Sequence, residues 1–229
     1  MTFLKELHKN NNFILLKKYE GEDIKADDDI QLDDLGKDSD KIRICVIDLE
    51  TTGLSHDDDE IIEIAMKLIE VDKESGNYVT AVKKYESYHQ PKKRITEEIT
   101  ALTGITNEDV KGKEIDWKLV ERLFSYSQLV VAHNAWFDRN MLENYIRPRN
   151  IWACSANDID WRKRGFSKSS LELLSIWHGF YYDAHRAMND VNATIHLMTH
   201  PHYDIKPIAE LIKNAKKPLI ILGQSLLKS

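Results

Sequence analysis

The chain has 229 residues, 42% hydrophobic and 31% charged, with a formal net charge of −6. This suits one sizeable globular domain with extensions, or two small domains, and argues against broad nonspecific nucleic-acid binding. No apolar run approaches the roughly 20 residues that span a bilayer, and Cys45 and Cys154 form neither a disulfide framework nor a CxxC metal spacing.

The N-terminal stretch MTFLKELHKNNNFILLKK lacks the sustained apolar core and small-residue cleavage site of a secretory signal. A reducing, cytoplasmic location is therefore the expectation. Residues 1–19 alternate apolar and basic positions, which predicts a short helix. Residues 20–40 are strongly acidic, with only Lys25 and Lys37 as counter-charge, and read as a loosely packed connector. Without that segment the chain is slightly basic, and clusters stand out at Lys83-Lys84, Lys92-Lys93-Arg94 and Arg162-Lys163-Arg164.

From Lys41 the pattern is that of an α/β domain. Strands are predicted at Ile42–Leu49 and Glu60–Val71, both rich in β-branched residues. The turn signal Ser75-Gly76-Asn77 then leads into an antiparallel third strand, Tyr78–Tyr88. Thr96 to Gly104 carries an N-cap candidate at its start and a C-cap glycine at its end. Helices follow at Asp116–Ser125, Ala135–Tyr145, Leu171–His178 and Ala187–Met198, with a short strand at Gln128–Ala132. The expected organisation is an N-terminal extension (1–40), one domain (41–199) and a tail (200–229) that packs on the domain or on a partner.

Several acids sit where acids are costly. Asp48 and Glu50 end an apolar strand and, two apart, face the same side of its sheet. Carboxylates there need a pairing group or a metal; taken alone, the pair is a weak metal signal and fits salt-bridged or exposed acids better. Asp138, in Val130-Val131-Ala132-His133-Asn134-Ala135-Trp136-Phe137-Asp138, by itself reads as a first-turn helix acid. Asp190 follows His185 by five residues at the start of the last helix, where a lone histidine is ordinarily a surface or capping residue.

Together, the ordered set DxE, HNAxFD and HRAxxD resembles the three exonuclease motifs of the DnaQ-like family. These are the DEDDh 3′–5′ exonucleases, which include the proofreading ε subunit of bacterial DNA polymerase III and RNase T. The resemblance covers roughly residues 41–199 and extends to the intervening TEEITALTGIT. It implies an α/β, RNase H-like fold, with a mixed central sheet flanked by helices. It also implies that Asp48, Glu50, Asp138 and Asp190 are metal ligands and that His185 is the general base. Thr51, Thr52, Gly53 and Leu54 would lie beside the terminal nucleotide, with Asn134 against the substrate backbone or, alternatively, capping a helix. His133 and Phe137 read as structural.

The chemistry suits these residues. Phosphodiester hydrolysis needs an activated water and a stabilised leaving oxygen, which two divalent ions about 4 Å apart can supply. Mg²⁺, or Mn²⁺, prefers such hard oxygen ligands. An imidazole titrating near neutrality can take the proton of the water. Arg162, Lys163, Arg164 and Lys168, with Trp161 or Phe166 stacking on bases, could line a single strand's path. The expected substrate is single-stranded DNA with a free 3′ end, in proofreading or repair. The alternatives are an exoribonuclease of the RNase T or oligoribonuclease type and an inactive nucleic-acid-binding or scaffold protein. Gln224-Ser225-Leu226-Leu227 faintly resembles sliding-clamp peptides, so a polymerase or clamp is a further candidate partner.

Overall fold

The computed structural model describes residues 15–26, 31–36 and 40–215. The predicted helix within residues 1–19 lies mostly outside them, as do parts of the acidic connector and the apolar and clamp-like stretches of the tail. Where the connector is described, it packs on the domain. Lys17–Lys18 form β1, Tyr19 and Ile24 are buried, and Ala26 bridges to Ala81.

The sheet is built from long β-branched runs. β2 (Lys41–Thr51), β3 (Ile61–Asp72) and β4 (Tyr78–Tyr88) form an antiparallel meander. β5 (Leu129–Ala132) and β6 (Trp152–Cys154) then add in parallel beside β2. The order is β4-β3-β2-β5-β6, so β2 is central, with an antiparallel neighbour on one side and a parallel one on the other. β1 pairs separately with β7 (Phe180–Tyr181).

Three helices lie between β4 and β5: α1 (Glu97–Thr103), α2 (Asn107–Val110) and α3 (Trp117–Tyr126). Thr96 caps α1 through the Ile99 amide, and Gly104 closes it in the left-handed region, as the sequence pattern predicts. Next come α4 (Ala135–Leu142), α5 (Leu171–Trp177), α6 (Ala187–Met198) and α7 (Ile208–Ala215). Strand alternation divides the core in two. Ile44 and Val46 pack with residues of α5, α6 and α7. Cys45, Ile47 and Leu49 pack with residues of α3 and α4. Asp48 and Glu50 continue the Ile44–Val46 row, so they reach the end of the face that α6 covers. This is the α/β, RNase H-like fold expected from the sequence.

Two aromatic candidates for base stacking are displaced by the packing. Trp161 and Phe166 are each only 3% exposed and belong to the α5–α7 core, where the Trp161 indole N–H donates to the Ser155 carbonyl at 2.7 Å. Arg164 is also engaged, paired with Glu210 and lying over the Tyr203 ring. Only Arg162, Lys163 and Lys168 of that group face solvent.

Candidate active site

The site forms where β2 ends. Along this strand Asp48 lies opposite Ala65 and Glu50 opposite Glu63, and the register slips between Glu50 and Thr51. The irregularity ends the regular ladder and starts a tight loop. The Thr51 hydroxyl donates to the Gly53 carbonyl at 2.6 Å. The Thr52 hydroxyl donates to Asp59 Oδ1 at 3.0 Å and accepts the Glu60 amide at 3.0 Å. The other Asp59 oxygen takes the Ser55 amide at 2.9 Å. Gly53 is needed because a Cβ there would come within 2.4 Å of the Asp59 carboxylate. This anchoring by Asp59 had no signal in the sequence beyond a turn rich in small and polar residues. Leu54 is 86% exposed at the tip, so it is not the core leucine of the alternative reading.

From β2, Asp48 and Glu50 meet Asp190 of α6. One carboxylate oxygen from each lies within 4.8 Å of the others. The Tyr182 hydroxyl donates to Asp190 Oδ1 at 3.0 Å, and the Arg186 amide to Oδ2 at 3.3 Å. Asp138 enters from α4 and is 2% exposed, with the Leu49 backbone and its own favouring the charged form of its carboxyl. Its charge is felt at both Asp48 and Glu50. Three of the four predicted ligands are thus gathered at the carboxyl end of the central strand, where open α/β sheets place their ligands, while Asp138 lies outside that group but near enough for its charge to act on Asp48 and Glu50.

Burial and mutual repulsion hold these carboxyls protonated far above the usual range. Burial, with Asp190, Asp138 and Glu50 next, pushes Asp48 well up. Burial, then Asp190 and Glu63, lifts Glu50 to about 8. Burial raises Asp138 to about 8 and Asp190 to about 6. Four oxygen-donor side chains that cannot all ionise together fit a divalent cation as counter-charge.

His185 stands on the turn before α6, exposed and in the left-handed region at φ 62°, with its charge felt at Asp190. Asn134, the other non-glycine residue with positive φ among the described residues (75°), precedes α4 and makes no side-chain cap. The side-chain capping alternative is therefore excluded, and the residue is exposed. His133 is structural, as expected. Its ring lies 2.8 Å from both the Ser155 hydroxyl and the Ser169 carbonyl, and burial pushes its pKa down to about 4. Phe137 is partly buried against the α3–α4 core.

A five-stranded mixed sheet with acids clustered at the end of its central strand defines an α/β nuclease-like class of architecture. A family model described as an exonuclease, RNase T, matches residues 45–198, and the chain belongs to this family of DnaQ-like exonucleases. PolC-type DNA polymerase III from Thermotoga maritima is 34% identical over 137 residues, covering 57% of this chain and 9% of the polymerase. The PolC-type enzyme of Halalkalibacterium halodurans is 31% identical over 170 residues, or 67% of this chain and 11% of the enzyme. The chain therefore spans about a tenth of the length of these relatives. In fold it is similar to exonuclease X in complex with 5′ overhanging duplex DNA, with TM-score 0.53, 23% identity, and coverage of 73% of this chain and 99% of that one. It is also similar to E. coli exonuclease I in complex with a 5cy-dA13 oligonucleotide, with TM-score 0.55, 20% identity, and coverage of 69% and 40%.

Proposed function

We propose that the protein is a divalent-metal-dependent 3′–5′ exonuclease of the DEDDh type that removes nucleotides from single-stranded DNA ends. The observation that carries this reading is the convergence of Asp48, Glu50 and Asp190 within 4.8 Å, with Asp138 buried beside them. Without a cation, such a cluster is only a cost to folding.

Asp48, Glu50, Asp138 and Asp190 would hold two Mg²⁺ or Mn²⁺ ions. When bound, these supply charge stabilisation to the attacking and leaving oxygens of the scissile phosphodiester. The remaining work falls to the chain. His185, exposed on its turn, accepts the proton of the attacking water. The Thr51–Leu54 loop receives the terminal nucleotide, with the Leu54 side chain against its base. Asn134 contacts the substrate backbone from the start of α4. Arg162, Lys163 and Lys168 attract the phosphates of the strand further on.

The PolC-type relatives support DNA over RNA, a role in replication or repair, and a polymerase as partner. No helix among the described residues is long and apolar enough to cross a membrane. The discriminating experiment offers matched DNA and RNA oligonucleotides of one sequence, each end-labelled, in Mg²⁺. DNA shortened faster than RNA supports this reading. RNA shortened faster assigns an exoribonuclease, and cleavage of neither assigns a binding protein.

A further inference from the structure

His185 gains little from its own surroundings. Its turn is exposed, its backbone occupies a region that non-glycine residues avoid, and its imidazole has no hydrogen-bond partner among the described residues. A proton acceptor must nevertheless stand within hydrogen-bond reach of its water, so something has to hold the turn.

That hold comes from across the sheet. Glu63 of β3 is 1% exposed. Its Oε2 accepts the Ala187 amide at 3.0 Å, and its Oε1 accepts Arg186 Nη2 at 3.1 Å. The same Arg186 nitrogen donates to the Tyr88 hydroxyl of β4 at 2.7 Å, with the guanidinium 5.9 Å from the Tyr88 ring centre. Arg186 is the N-cap of α6 yet provides no side-chain cap. The first amide of α6 is thus capped by a residue of another element, and the residue after His185 is clamped to the same carboxylate.

The position of Glu63 gives the clamp its meaning. It lies directly opposite Glu50 in the β2–β3 register, where two acids repel. A local Ser or Asp at the N-cap would stabilise α6 equally well. A cap delivered from the strand that faces Glu50 instead fixes the His185 turn relative to the metal-ligand strand.

We propose that Glu63 is a positioning residue of this active site: with Arg186 and Tyr88 it sets where the His185 imidazole stands over the carboxylate cluster. The inference rests on the exonuclease reading. The pair joins a buried Glu63 carboxylate to an Arg186 side chain that is 41% exposed, and a displacement of about 1 Å can cost up to about 100-fold in rate.

The test is a double-mutant cycle of wild type, Glu63→Gln, His185→Ala and the double variant. It is read as kcat and KM on single-stranded DNA in Mg²⁺, with circular dichroism as the fold check. Glutamine keeps an oxygen for the Ala187 amide and loses the charge that holds Arg186. We expect Glu63→Gln to lower kcat about tenfold or more with KM within about twofold, and to change kcat less than about twofold once His185 is alanine. Equal losses in both backgrounds, or no loss in either, would overturn the assignment. Should Glu63→Gln not fold, Tyr88→Phe takes its place in the same cycle, with a loss of about threefold expected only where His185 is present. An inactive wild type would overturn the exonuclease reading itself, and this inference with it.

Discussion

Asp138 is nearly sealed from solvent, and burial raises its pKa to about 8 even though the nearby Leu49 backbone and its own favour the charged form. Asparagine in its place keeps the shape but gives up one carboxylate charge of the proposed metal site. Asp138→Asn should reduce hydrolysis by more than about 100-fold, beyond the range for groups that only orient a ligand. In chelator its urea stability at pH 8 should equal or exceed wild type, by up to about 1 kcal/mol, because a costly buried charge is gone. A variant that unfolds would make Asp138 a structural acid. At this scale the sequence was informative where only local geometry mattered: the two-residue spacing of Asp48 and Glu50 put them on one face. Glu63 was visible only as an acid in an apolar run, since its partner Arg186 is 123 positions away. Tyr182 carried no motif at all, and Trp161 and Phe166 look the same in sequence whether they stack on bases or fill a core.

Elements long enough to show a period were legible. β4 and α6 match their predicted bounds, whereas α4 stops at Leu142 rather than Tyr145, after which Tyr145 turns back to the Leu142 carbonyl. β1, β6 and β7 have two or three residues each, too few to display alternation, and they exist because neighbouring backbone is available to pair. β1 is the instructive case. It lies outside the matched family region yet pairs with β7, the strand leading toward His185. Tyr19, immediately after β1, anchors it. The ring is 4% exposed, packs 4.1 Å from that of His196, and its hydroxyl donates to Asp23 at 2.6 Å. Lys67, buried beneath this segment, donates to the Ile24 carbonyl at 2.8 Å. Tyr19→Ala should cost about 3 kcal/mol in urea unfolding, as loss of a buried aromatic does. A change below about 0.5 kcal/mol would show that the segment only rests on the surface.

For the whole molecule, the clustered acids make stability depend on pH and metal together. In the unfolded chain Asp and Glu titrate near 4. In the folded, metal-free chain, Glu50 and Asp138 titrate at about 8 and Asp190 at about 6, and Asp48 lies well above its usual value. Between these limits the folded state binds more protons than the unfolded one, so stability must fall as pH rises. The melting temperature in chelator should therefore decline from pH 5 to pH 8, and saturating Mg²⁺ should remove most of that decline by replacing the protons as counter-charge. An unchanged slope in Mg²⁺ would place the cation elsewhere.

The most direct measurement follows 5′-labelled and 3′-labelled single-stranded DNA through time with Mg²⁺ and with chelator, for wild type and Asp138→Asn side by side. A metal-dependent exonuclease built on these four acids gives a stepwise ladder from the 5′ label and immediate mononucleotide release from the 3′ label. Both should be absent in chelator and in the variant. Internal cuts, release from the 5′ end, or undiminished cleavage by Asp138→Asn would contradict it.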